Sequence, residues 1–465
     1  MRSTPPARPW LGLGLLALTA CAGGGDSGMQ PMIATVGGAT TDDPPSSSGP
    51  DDDSGSATTG IDTGNETSVD STGAGSTGET MPPNLDDGTW EFINVSNTQA
   101  MSLHPTRTRI DDGTEILGWA ETTLDDISQL NMFGAIETGE LWSVSPLTNA
   151  DRQHTFPTIA GGEVAYLAWM GQVGSDDDRD LYFATATAGG WTTPRNLTNA
   201  FDVPTPLNES EPAIGHRGGG ELFIAYTSAE QVDPLAPAPT PGVFVLEMTA
   251  DNDPAGQTQL VSPTQAHCTD LTAAAAGDGT GHVIAKCTDG GLGVLIHGTD
   301  RSGSWDADTL SGTTTGLLSP ALSAGADGNV HLVWIQDSQC GATACDDVYY
   351  ATTTDHVFGT PVQVTDTANL DERFPAVGMD EWGRVVVFSQ ARIDGQAILY
   401  MNVSEDGQSF SPSVRISPQG TLDDYQNPHD VLFSPEGFPS FAYERVVDGS
   451  DPLNIDIEVA RFLGN

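Results

Sequence analysis

Residues 320–334 read Pro320-Ala-Leu-Ser-Ala-Gly-Ala-Asp-Gly328-Asn-Val-His-Leu-Val-Trp334. A short apolar stretch follows the proline, an Asp-Gly pair marks a tight turn, and an apolar run leads to an aromatic. Two antiparallel strands joined by a hairpin account for all three features. A third strand signal follows at Asp347-Val-Tyr-Tyr-Ala351 and a fourth at Phe358-Gly-Thr-Pro-Val-Gln-Val364. The pattern returns along the chain at roughly 50–60 residues, near the length of a propeller blade. Its openings are Pro105, Pro157, Pro212, Pro320, Pro375 and Pro428, which lead to Trp119, Trp169, Tyr226, Trp334, Phe388 and Tyr443. A weaker unit, Leu271 to Gly279 and then His282 to Cys287, lies between the third and fourth of these openings. It lacks the proline, carries the alanine run 273–276, and holds Lys286, the only lysine of the chain.

Counting the weak unit, seven units of four short antiparallel strands predict an all-β fold: one seven-bladed β-propeller, in which radial repetition protects each edge strand. Six blades is the alternative if the weak unit is an insertion. The last unit has three strands before the chain ends. The missing fourth appears at the other end, in a strand near 88–96 that contains Trp90-Glu-Phe-Ile-Asn-Val-Ser96. It is expected to pair with 455–460 and close the ring. Recurrence of Trp119, Trp169 and Trp334 on second strands favours packing over a sugar-stacking platform.

Ahead of the repeats, 22–86 is an acidic linker of Gly, Ser, Thr, Asp and Pro, which cannot bury enough apolar surface to offset its ordering entropy. The propeller then occupies 87–465. The start of the chain, 1–21, has Arg2 and Arg8 ahead of an apolar run too short to span a bilayer, ending Leu18-Thr19-Ala20-Cys21. This resembles a bacterial lipobox, which implies lipidation of Cys21. Ala22, in place of Asp, then implies export to the outer membrane. An ordinary secretory signal cleaved near Ala20 or Ala22 is the other reading. The expectation is a cell-envelope protein, periplasmic or on the cell surface, held to the membrane through a lipid anchor only. The chain has 16 basic and 64 acidic residues, so no basic stripe is available to neutralise nucleic-acid phosphates. An exported chain with four cysteines besides Cys21 suggests two disulfides, Cys268–Cys287 across neighbouring strands and Cys340–Cys345 across a short loop.

The 321–364 unit, together with Ser404-Glu-Asp-Gly-Gln-Ser-Phe410, resembles the sialidase-like (BNR or Asp-box) propellers. The second stretch departs from the Asp-box by one missing residue and by Phe for Trp. Asp-boxes are folding turns and carry no catalysis. Membership of that class implies three arginines gripping a substrate carboxylate. Arg107 and Arg109 are the closest to the first unit, and Arg373 and Arg445 are the others within reach of a channel, but arginines do not recur at matching places. In propellers of this kind the loop before strand one and the loop between strands two and three share a face. His104, His154, Glu211, Asp270, Glu372, Arg373, Asn427 and His429 are therefore the candidate ligand-binding residues at a channel mouth, with acidic loops at Asp125-Asp126, 176–178, Asp346-Asp347, Asp448 and Asp451 beside them. No cofactor and no metal ligand set is expected; calcium is the one ion the acidic loops suggest. The function expected is non-catalytic binding of an extracellular protein or glycan by a monomer, with a diverged sialidase-like glycoside hydrolase as the alternative. A purely structural envelope protein is the third reading.

Overall fold

The computed structural model describes residues 82–464 apart from 86–87, 124–128, 140, 150–151, 174–177, 199–206, 231–241, 263–266, 290–291, 311–317, 341–342, 366–369, 394–395, 418–423 and 449–450. The signal, Cys21 and nearly all of the linker lie outside the described residues. Within them the chain forms strands and turns and no helix.

Seven antiparallel sheets follow one another, six of them built in sequence order from the inside out. Their innermost strands are Ser102–Arg109, His154–Ala160, Leu207–Gly218, His267–Ala275, Leu318–Ala324, Glu372–Met379 and Asp424–Phe433, which define blades 1 to 7. These strands pack side by side in a closed ring, the last against the first. The fold is a seven-bladed β-propeller, and the weak unit is a full blade, the fourth.

Closure is made as expected from the N-terminal strand, Thr89–Asn94, which is the outermost strand of blade 7. Its register runs from Thr89↔Leu463 to Asn94↔Glu458, about three residues further along the partner than the expected 455–460. Beyond Asn94 the ladder gives way to a bend in which the amides of Val95 and Ser96 both donate to the Ile457 carbonyl. Trp90 locks the closure by edge-to-face contacts with Phe388, Phe441 and Phe462, at 5.4–5.8 Å between ring centres.

Tryptophans on the second strands are packing residues: Trp119 and Trp169 are fully buried. Each stacks on an aromatic of the third strand, and the arrangement recurs as Trp119–Phe133, Trp169–Tyr182, Tyr226–Phe244 and Trp334–Tyr349. Blade 6 differs from the sequence reading. Phe388 sits one residue before the equivalent position, which Ser389 fills, so strand alternation turns Phe388 to the other face, where it meets Phe441 of blade 7 at 4.3 Å.

In blade 4 the equivalent position is Ala285, and a disulfide stands nearby. Cys268 and Cys287 are direct cross-strand partners with Cα atoms 4.0 Å apart, and they are bonded. The second expected bridge involves Cys340, whose side chain lies outside the described residues. The Ser404–Phe410 stretch is a self-contained turn. Ser404 Oγ accepts from the Gly407 amide at 2.9 Å, and Asp406 Oδ1 accepts from those of Gln408 and Ser409 at 2.8 and 3.1 Å. Phe410 closes the turn against Tyr350 of blade 5.

Candidate functional site at the channel mouth

The recurring proline marks a β-bulge. In blades 1, 2, 3, 5 and 6 the residue before it and the proline together oppose a single residue of the second strand; in blade 4 Asp270 and Leu271 do the same. Proline suits the bulge because it has no amide to leave unpaired there. The residue before it takes a left-handed backbone in every one of these blades: His104, Phe156, Glu211, Asp270, Ser319 and Phe374, with φ between 47° and 54°. None is glycine, and the conformation is unfavourable ahead of proline. Six blades thus hold the same strained turn at the same place on the ring. All six residues are partly exposed. In blade 7 Asn427 and Pro428 likewise oppose the single Tyr443, and a second register shift follows at Asp430, which is left-handed with φ 45° and accepts from the Arg107 amide at 2.7 Å.

Neighbouring blades tie this ring together. The His104 ring lies 5.1 Å from that of Phe156. The Asp270 amide donates to Glu211 Oε2 at 2.8 Å, and the His104 amide donates in the same way to Glu444 Oε1 at 2.8 Å. In both cases the carboxylate belongs to the preceding blade. Lys286 Nζ stands 3.3 Å from Asp270 Oδ2, which puts the lone lysine on the ring. Charge here is under-compensated. Burial and the neighbouring Asp270 push the Glu211 carboxyl up to about 7. Burial and Asp347 push Glu372 up to about 8, and burial with a hydrogen bond from Asp337 raises Asp346 to about 6. Surrounding protein lowers His104 to about 4; burial and then His104 lower His429 to about 3, so both imidazoles are neutral at pH 7.

The expected site residues are therefore not equivalent. His104, Glu211 and Asp270 belong to the ring. Glu372 is 2% exposed just ahead of Phe374, and its Oε2 has no hydrogen-bond partner. Arg373 is exposed and lies near Asp346. His429 is partly exposed beside His104. His154 does not face the mouth: it is 4% exposed and accepts a hydrogen bond from Trp169 Nε1 at 3.1 Å, inside blade 2. The side chains of Asp178, Asn427, Asp448 and Asp451, and the acidic loops 125–126 and 176–177, lie outside the described residues. Phe156, Ser319 and Phe374 were not singled out from sequence, although one signal marks them all: the residue immediately before the repeating proline. Among the described residues no group of three His, Cys, Asp or Glu is arranged to hold a metal ion.

At the far end of blade 1, three arginines surround one carboxylate. Arg107 and Arg109 pair with opposite oxygens of Glu115, and Arg461 of blade 7 reaches the same residue at 3.0 Å. Burial alone would raise the Glu115 carboxyl, but Arg107, Arg461 and Arg109 together hold it at about 2. Arg445 is paired with Glu458 at 2.6 Å. The arginines closest to the first unit are thus bound to the protein's own glutamate, at the end opposite the mouth.

No known protein family matches the chain by sequence, and no curated protein does. Solved structures match the fold. An ulvan lyase of polysaccharide lyase family PL25 aligns over 80% of this chain and 93% of its own, at 10% identity and a TM-score of 0.50. A sialidase from Trypanosoma rangeli, crystallised with sialic acid, aligns over 78% of this chain at 13% identity and a TM-score of 0.41; the chain covers 54% of that protein's length. The endosialidase of phage phi92 aligns over 81% of this chain at 10% identity and a TM-score of 0.47. At these identities the likeness is one of fold.

Proposed function

We propose that this protein is a lipid-anchored envelope protein whose propeller binds an extracellular glycan at the channel mouth, without catalysing its cleavage. The observation that carries the reading is the ring of left-handed residues at the inner-strand bulge, five of them before the repeated proline and Asp270 before Leu271. Backbone strain repeated in six blades persists only where the surroundings over-determine it, and such strain gathers at binding sites. The ring offers aromatic faces at Phe156 and Phe374, acceptors at Glu211 and Asp270, and a cation at Lys286, the mixture that sugar recognition uses. Fold neighbours that include a polysaccharide lyase support a glycan over a protein ligand.

A second reading, a diverged glycoside hydrolase, rests on Glu211 and Glu372. Each is a carboxyl whose pKa is raised toward neutrality beside a second carboxyl, Asp270 or Asp347, and glycosidic acid catalysis uses such a pair. One experiment separates the two. A chain starting at Pro83 is screened on an array of neutral and acidic glycans, and the same sample is assayed for reducing-end release. Binding that is lost in Phe156→Ala and Glu211→Gln, with no release above a heat-killed control, supports the binding module. Release lost in Glu372→Gln makes it an enzyme, and no binding and no release from a folded sample overturns both. Anchoring is tested separately by labelled palmitate, whose incorporation should disappear in Cys21→Ala.

A further inference from the structure

A groove of about 560 Å³ runs between the outer strand of blade 1, Leu141–Pro146, and the turn of blade 2 that leads to Trp191. It lies on the outer rim, away from the mouth, and its volume is in the range of small-ligand sites, about 300–1,000 Å³. Its lining contains no ionisable side chain, in a chain with 64 acidic and 16 basic residues. The walls carry the hydroxyls of Ser143, Ser145 and Thr193, none of which is engaged in a hydrogen bond within the protein. Trp191 supplies an aromatic surface. It is only partly buried, and it rests directly over Gly134, where a Cβ would come within 2.5 Å of the indole. A bare strand backbone thus seats the indole at the edge of the groove.

We infer that this groove is a second binding site, for a neutral saccharide. The reasoning is by chemical complement. An uncharged lining offers nothing to offset desolvation of a carboxylated, sulfated or amino sugar. Free hydroxyls beside an aromatic face match a pyranose ring, which presents hydroxyls at its rim and C–H groups on its faces. An unsubstituted hydrocarbon would leave the hydroxyls of Ser143, Ser145 and Thr193 without partners. The inference is independent of what the mouth binds.

The test is a titration of the ¹⁵N-labelled protein followed through its indole N–H signals. Trp191 is a suitable reporter, because its Nε1 is buried without an acceptor, and its signal is identified as the one missing in Trp191→Phe. The probes are maltotetraose, xylotetraose and mannotetraose, with trigalacturonate as the anionic control. The Trp191 signal should move with a neutral tetrasaccharide at a Kd of about 1 mM or tighter. The double variant Ser143→Ala/Thr193→Val removes exposed hydroxyls that hold no part of the fold, and it should weaken binding about fivefold. The inference fails if no neutral probe moves the signal, if the double variant binds as the parent does, or if trigalacturonate binds as tightly.

Discussion

Two ends of the same propeller use charged residues in opposite ways. At the far end of blade 1, Arg107, Arg109 and Arg461 enclose Glu115, and the carboxyl is held at about 2 because every approach to it is cationic. At the mouth, burial and Asp270 outweigh Lys286 and push Glu211 up to about 7, while burial and the neighbouring Asp347 push Glu372 up to about 8. The first arrangement pairs its carboxylate with three cations of the protein itself. The second is incomplete, and its backbone is strained as well. Stability should therefore depend on the first and ligand binding on the second.

The largest expected effect tests the first half of that statement. Glu115→Ala leaves Arg107, whose side chain has no solvent exposure, without its counter-ion. Removing one partner of a buried pair costs about 3–5 kcal/mol. Denaturant unfolding of the variant should show a loss of that size. A loss below about 1 kcal/mol would place the cluster among surface pairs, and the contrast between the two ends would collapse.

Blade 4 tests a local version of the same contrast. It has Ala285 where five of the other blades carry a buried Trp or Tyr, and the Cys268–Cys287 bond crosses nearby positions on the same pair of strands. The cysteines are 19 residues apart, so Cys268→Ser/Cys287→Ser should cost about 3 kcal/mol. Hydrogen exchange should rise first in 267–309, while the amides of blade 2, with its stacked Trp169–Tyr182 pair, stay protected. Uniform exchange over all blades would mean that the bond serves the whole ring.

Much of this architecture was readable from the chain. The proline, the Asp-Gly turn and the closing aromatic return often enough to count the blades, and Trp90-Glu-Phe-Ile supplied the strand that closes them. The disulfide of blade 4 followed from antiparallel register. Phe388 was misplaced by one residue, since an apolar run such as Val385-Val-Val-Phe388 fits either face of a strand buried on both sides. The mouth was legible only in part. His104, Glu211 and Asp270 stood out as polar residues near a loop, whereas Phe156 and Phe374 were not among the candidates. The left-handed bulge that aims them depends on two chain segments meeting out of step, which no single segment records. His154 illustrates the converse: a polar residue at a strand start can also be the partner of a buried indole.

The smallest effect concerns pH and separates the ends most finely. Glu211 and Glu372 bind their protons more tightly in the folded chain than the free value of 4.5. Their contribution to stability is full below that value and is lost as pH rises through about 7 and 8. The histidines act the other way. Folding lowers His104, His154 and His297 to about 4, and His282 and His429 to about 3, from 6.5. Their contribution is full above 6.5 and is lost as pH falls. Stability should peak near pH 6 and decline by about 1–2 kcal/mol toward pH 8, allowing for the solvent that reaches the mouth. In Glu211→Gln/Glu372→Gln the alkaline decline should flatten, while the acid limb, carried by the histidines and by Glu115, keeps its slope. Melting temperatures across that range decide the matter. If the alkaline limb survives in the double variant, the mouth carboxyls are already ionised at neutral pH, and the mouth is as well compensated as the arginine cluster at the other end.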